Sequence, residues 1–180
     1  MTSEKLIEVD LVTRSDDPDV TDAFDRITAR LGRVANFHRT LANSPALFNN
    51  FTGLTRALLM ETKVEPLERE LAVCCVLMRH RGDYEFAGHS RYALSVGATE
   101  EQIANLCSPE NDHVYNDRQR AIVRFARRFA ADPVERSSLA DDNIEAYLDN
   151  RQRIELGVIL AIYMGMAHFW ALFDIPVDSQ

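Results

Sequence analysis

Cysteine is scarce in this chain, with Cys74, Cys75 and Cys107 the three in 180 residues. An odd number of thiols, two of them adjacent, cannot build a paired framework, so no disulfide scaffold is expected. Neighbouring side chains in a helix point about 100° apart. Cys74 and Cys75 are accordingly read as small core hydrophobes rather than as reactive thiols, which need an exposed, electropositive setting. Basic residues are also in deficit, 20 against 28 acidic, for a net charge of -8. With no Lys/Arg stripe interleaved with aromatics, a nucleic-acid partner is not expected. The N-terminal stretch lacks a basic segment followed by an apolar run, which predicts no secretory leader and a cytoplasmic, reducing setting. Glycine and proline are few, 7 and 6. No glycine-rich phosphate loop and no strand-type alternation occur among them.

What is present is apolar sequence at helical spacing, 46% hydrophobic overall. It predicts an all-α chain with one core: a polar N-terminal arm over 1–20, a helical domain over 21–176 and a short tail over 177–180. In "TDAFDRITARLG", Phe24, Ile27 and Leu31 recur on one face before Gly32. Ser44 and Pro45 open a second helix with Leu47, Phe51, Leu54 and Leu58 on its apolar side. From Pro66, "LERELAVCCVLMRH" has acidic residues in its first turn, basic ones in its last, and a middle that is apolar all round, so a central position is expected. Asp83 is placed to cap the next helix, which stops at Gly97, and Thr99 with Gln102 forms a capping-box pattern after it. "SPENDHVYND" reads as a loop, and the helical period resumes through Ile122, Phe125 and Phe129.

The last helix carries eighteen residues, Leu156 to Phe173, without a formal charge apart from one that His168 can take. That touches the lower edge of membrane-spanning length. His168 and the strip Gly157, Ala161, Gly165 favour a core helix on which another helix backbone packs closely, with His168 hydrogen-bonded inside. No membrane partner is expected. A short echo between "ERELAVCCVLM" and "RIELGVILAIYM" hints at an internal helical repeat whose two halves pack together.

Within "RHRGDYEFAGHSRYALSVG", Glu85 and His89 lie at i and i+4, on one strip of a helix. A carboxylate beside an imidazole is the usual arrangement for a general acid or base, although solvated salt bridges share that spacing. Tyr84, Phe86 and Ala87 are apolar or aromatic neighbours, and Glu70 lies in the preceding apolar helix. His80, His113 and His168 have no ligand spacing toward the pair, and the Glu-x-x-His repeat of di-iron bundles is absent, so neither a metal nor another cofactor is expected. In a simple hairpin turning at Gly82, Glu70 would face residue 94, roughly 7 Å along the axis from His89.

Glu70, eleven residues, Gly82, two residues, Glu85, three residues and His89 together resemble the frame of the carboxymuconolactone decarboxylase and alkylhydroperoxidase D-like family. "DYEFAGH" is similar to the Tyr-Glu-aromatic-x-x-His signature of its branch without the Cys-x-x-Cys dithiol. The flanks "FHRTLANSPALF" and "AHFWALFDIP" extend the resemblance over roughly 34–176. It implies an alkylhydroperoxidase D-like helical fold and a homo-oligomer, a trimer or a multiple of three. It also implies a lyase-type activity by proton transfer on a small lactone, carbonyl or carboxylate compound. His89, Glu70 and Glu85 would be catalytic in such a site. Tyr84 would donate to an oxyanion, and Arg81, with Arg79 and Arg91 nearby, is the candidate for a substrate carboxylate. Gly82 and Glu85 stand where the peroxidase branch carries its two cysteines, so thiol peroxidase activity is disfavoured. A non-catalytic oligomer that binds a small molecule is the remaining alternative.

Overall fold

The computed structural model describes residues 7–137, 139, 143–173, 175–176 and 178. Among them regular structure is helical, apart from a single β-bridge between Ile7 and Phe173. The helices are α1 Pro18–Leu31, α2 Asn36–Leu41, α3 Pro45–Met60, α4 Pro66–Arg79, α5 Asp83–Ser95, α6 Glu100–Ala104, α7 Asp117–Ala130, α8 Pro133–Arg136 and α9 Asn150–Leu172. The stretch read as a loop after α6 folds as a 3-10 helix, Pro109–Val114, led by its proline. The chain divides into two compact units, Met1–Glu61 with Leu172–Gln180, and Thr62–Ala171.

In the first unit, Asp17 caps α1 by accepting from the amides of Asp19 and Val20, and Gly32 ends it at φ 76°, a left-handed turn that glycine adopts without a Cβ penalty. The apolar faces agree with the expected ones at Phe24, Ile27 and Phe51, which pack in or against the core, and depart from them at Leu31, Leu47 and Leu54. α1 buries Val20, Ala23 and Ile27 and leaves Leu31 half exposed. α3 buries Phe48, which packs edge-on to Phe24 at 5.5 Å, while Leu47 and Leu54 lie exposed. Phe48 offers more apolar area than either leucine, so burying it selects the face that packs.

In the second unit, α4 is the central element: every residue from Leu71 to Leu77 is inaccessible to solvent. It packs against α5 and α7. Its first turn is braced by Glu68, whose carboxylate accepts from Arg118 Nε at 2.5 Å and Nη2 at 3.1 Å. α6 carries the expected capping box between Thr99 and Gln102. α5 is capped differently from expectation, since Gly82 occupies the N-cap and Asp83 is the first helical residue.

α9 also departs from expectation. The strip of Gly157, Ala161 and Gly165 is open: apart from the backbone of α9 itself, no atom of the described residues lies within 4 Å of where a Cβ would stand on either glycine. Ile154 and Val158, on the same side, are 65% and 41% exposed. His168 is exposed rather than enclosed, and its ring meets that of His80 edge-on at 5.0 Å. By length and composition α9 could cross a membrane.

Candidate active site

The turn between α4 and α5 sets the site. Arg81 adopts φ 55°, a left-handed conformation uncommon outside glycine. Gly82 follows, its amide donating to Leu77 O at 2.8 Å. A Cβ on Gly82 would stand 2.7 Å from Leu77 Cδ2 and 3.0 Å from Ala167 Cβ on α9. Glycine is thus required by the close approach of α9, and a side chain at 82 would have to displace it. A cysteine at 82 would need the Leu77 side chain and Ala167 to shift.

This turn brings Glu70 of α4 against His89 of α5. Glu70 is fully buried. Its Oε1 accepts from Arg69 Nε at 2.9 Å, and its Oε2 lies 2.6 Å from His89 Nδ1. A carboxylate only accepts, so Nδ1 carries the hydrogen of that short, charge-assisted bond. The 7 Å offset of a simple hairpin is therefore absent. On the other side of the ring, Nε2 stands 3.8 Å from Glu85 Oε2, an ion-pair distance beyond hydrogen-bonding range. The His89 and Glu85 side chains are 15% and 18% exposed, against 1% for Glu70. The three residues thus form a graded chain whose outer end reaches solvent.

Tyr163 of α9 closes one side, its ring edge-on to the imidazole with centroids 4.6 Å apart. Burial, reinforced by Glu85 and Glu70, holds its phenol well above the ordinary range, so it stays a neutral donor. Tyr84 stacks on Trp170 at 4.6 Å, and Trp170 meets Phe169 edge-on. The arginines nearby in sequence separate. Arg79 pairs with Glu135, Arg91 donates to Ala87 O at 3.0 Å, and Arg81 is exposed at the turn. The buried cation of the frame is Arg69, which the sequence reading passed over. Tyr163 was passed over too.

An all-helical fold that buries a glutamate between an arginine and a histidine, with the outer imidazole nitrogen turned toward a second glutamate, defines a class of helical proteins with a carboxylate–imidazole dyad. Residues 45–133, which contain the whole frame, match the carboxymuconolactone decarboxylase family, and through this segment the chain belongs to it. Solved structures share the fold. An uncharacterized peroxidase-related protein from Silicibacter sp. TM1040 superposes with a TM-score of 0.76 at 16% identity, over 99% of this chain and 95% of that one. A cysteine-to-alanine variant of the debrominase Bmp8, in complex with 2,3,4-tribromopyrrole, gives 0.74 at 20% identity, over 95% and 91%. The same debrominase without ligand gives 0.69 at 21% identity, over 93% and 90%. No curated protein matches the chain in sequence.

Proposed function

We propose that this frame moves a proton to or from a small lactone, carbonyl or carboxylate compound, as a decarboxylase-like lyase. One observation carries the reading: Glu70 holds His89 Nδ1 at 2.6 Å while, among the described residues, Nε2 makes only the longer 3.8 Å approach to Glu85. Fixing one ring nitrogen directs the other at substrate, the logic of an acid–base histidine oriented by a buried carboxylate. In decarboxylation the bond to the carboxylate breaks, its electron pair passes into an adjacent carbonyl as an enolate, and protonated Nε2 delivers the proton to carbon. Glu85 stands beside Nε2 at 3.8 Å, and Tyr84 is assigned to the developing oxyanion. Arg81, exposed beside the helix start, is assigned to the substrate carboxylate.

The thiol peroxidase reading lacks its chemistry at this site, since Gly82 and Glu85 replace both sulfurs. Cys74 is no substitute: burial first, then Glu70, pushes its thiol up to about 12. The test is carbon dioxide release from a panel of carboxylated lactones, with a bromopyrrole included because a neighbour of this shape is complexed with one. His89→Gln should lower the rate by about 10²–10⁴-fold. Equal, background-level release from both proteins, with ligand uptake retained in calorimetry, would replace the lyase by a binding protein.

We read the open face of α9 as the contact with a second copy of the chain. Small residues at 157, 161 and 165 let another backbone approach, and Ile154 and Val158 supply apolar area beside them. A trimer, or a multiple of it, is the assembly expected. Ala161→Glu should shift sedimentation toward the monomer, and an unchanged sedimentation coefficient would refute this contact.

A further inference from the structure

Away from the Glu70–His89 frame, α4 carries a second chemical group. Cys75 is fully buried on α4, and Cys107, just after α6, is exposed. The two are interlocked: Cys75 Sγ donates to Leu106 O at 3.6 Å, and Cys107 Sγ to Cys75 O at 3.9 Å. A cavity of about 60 Å³ is lined by both cysteines together with Arg79, Arg127 and Glu135. Both cations are tethered. Arg79 pairs with Glu135 of α8. Arg127 of α7 donates to Leu106 O at 2.6 Å, to Asp112 Oδ1 at 2.6 Å and to Asn105 O at 3.1 Å. The cavity lined by Cys107 is thus also lined by two positioned guanidiniums, beside the Glu135 carboxylate that pairs with one of them, and cationic side chains next to a cysteine favour its thiolate. In keeping with that geometry, Cys107 is lowered to about 7, by a hydrogen bond from Cys75 first and by Arg127 and Arg79 against the opposing effect of burial. Cys75 moves the other way and stays protonated; its single S–H, which meets Leu106 O while Cys107 is a thiol, turns to the Cys107 sulfur once that sulfur is a thiolate.

We propose that Cys107 is a peroxide-reactive thiol and that Cys75 is its resolving partner, forming a two-cysteine oxidation site independent of the histidine frame. The Cys107 thiolate attacks one oxygen of hydrogen peroxide, the O–O bond breaks, and hydroxide leaves to take up a proton as water. Cys107 is then a sulfenic acid. The Cys75 sulfur attacks it, the S–O bond breaks, a second water leaves with the Cys75 proton, and a disulfide joins α4 to the segment after α6. Two thiols and one peroxide give one disulfide and two waters, and an external dithiol reverses the oxidation. The cavity has room for a molecule the size of a few waters. Hydrogen peroxide fits within that volume, and a tertiary alkyl hydroperoxide, which is bulkier, would have to approach from the open side.

The reduced full-length protein is treated with hydrogen peroxide at neutral pH and analysed by intact mass and peptide mapping. The wild type should lose the mass of two hydrogens and yield a Cys75–Cys107 crosslinked peptide. Cys75→Ala should stop at a sulfenic acid that dimedone traps on Cys107. Cys107→Ser should react at neither cysteine. Alkylation of Cys107 in the wild type should run roughly tenfold faster than that of free glutathione at pH 7, and tert-butyl hydroperoxide should oxidise it far more slowly than hydrogen peroxide. The proposal fails if Cys107 alkylates at the glutathione rate, if the crosslink forms through Cys74, or if dimedone labels nothing in either the wild type or Cys75→Ala.

Discussion

Glu70→Leu should lower the free energy of unfolding by about 3–5 kcal/mol, the range measured when one member of a buried ion pair is removed. Arg69, 4% exposed, loses the carboxylate 2.9 Å from its Nε, and His89 loses the acceptor at 2.6 Å. The cost arises because the positive charge stays buried while the carboxylate bonded to its Nε is gone, and not because the pair itself is strongly stabilising. A double variant, Arg69→Met with Glu70→Leu, should therefore recover most of the loss, since the penalty of desolvating two charges disappears together with their attraction. Urea unfolding of the wild type, both single variants and the double variant measures this coupling. If the double variant were as unstable as the sum of the singles, the pair would not be acting as a unit. Glu70→Gln preserves volume and an acceptor for Nδ1. It should keep much of the stability while altering the pH profile of any turnover that His89 performs, and so separates the residue's structural role from its positioning one.

The frame was partly legible in the sequence because helical spacing is a local property. Glu85 and His89 share a strip by arithmetic alone, and the apolar run after Glu70 marked α4 as central. The contact between Glu70 and His89 was not legible, because it depends on how the chain turns. A straight hairpin would set Glu70 opposite residue 94, whereas the turn through a left-handed Arg81 and a glycine pressed on Ala167 sets it against His89. Arg69 was overlooked for a different reason. In "LERELA" it reads as one more charge in a polar first turn, and nothing in one dimension reveals that the partner of a buried arginine is its own neighbour. Tyr163 sits inside an apolar helix, where a tyrosine at core spacing gives no signal of what its ring touches.

Which face of each helix packs was the least legible feature. On α3, Leu47 and Leu54 have the right period, but the fully buried side chain is Phe48. On α9, the small-residue strip was expected to meet another helix, yet it lies open among the described residues, and with it His168. Period identifies an apolar face without identifying what covers it. The partner can be another element of the same chain or a second copy, and those alternatives leave the same pattern in sequence.

Acidification should destabilise the protein through His38, in the unit Met1–Glu61 with Leu172–Gln180. His38 lies on α2 with its ring edge-on to Phe37 at 5.0 Å and to Phe48 at 6.5 Å, and its Nδ1 is buried with no hydrogen-bond partner among the described residues. Burial first, then the Arg30 guanidinium, lowers it to about 4, against a small opposing pull from Asp178. A histidine held neutral in the folded state but titrating near 6.5 when unfolded makes the unfolded chain bind more protons between those two values. Stability therefore rises with pH across that window, is full above about 7, and falls as the pH drops from about 6.5 toward 4. The shift corresponds to about 3 kcal/mol in total, at a slope approaching 1.4 kcal/mol per pH unit. His38→Phe keeps an aromatic ring in the cluster with Phe37 and Phe48 and has nothing to protonate. Urea unfolding at a series of pH values between 7.5 and 4.5 should give the variant a distinctly flatter profile, the difference between the two curves isolating His38 from the carboxylates that also titrate in acid. Parallel curves would mean that the imidazole is accessible to protons in the folded state, and would remove His38 as the source of acid sensitivity.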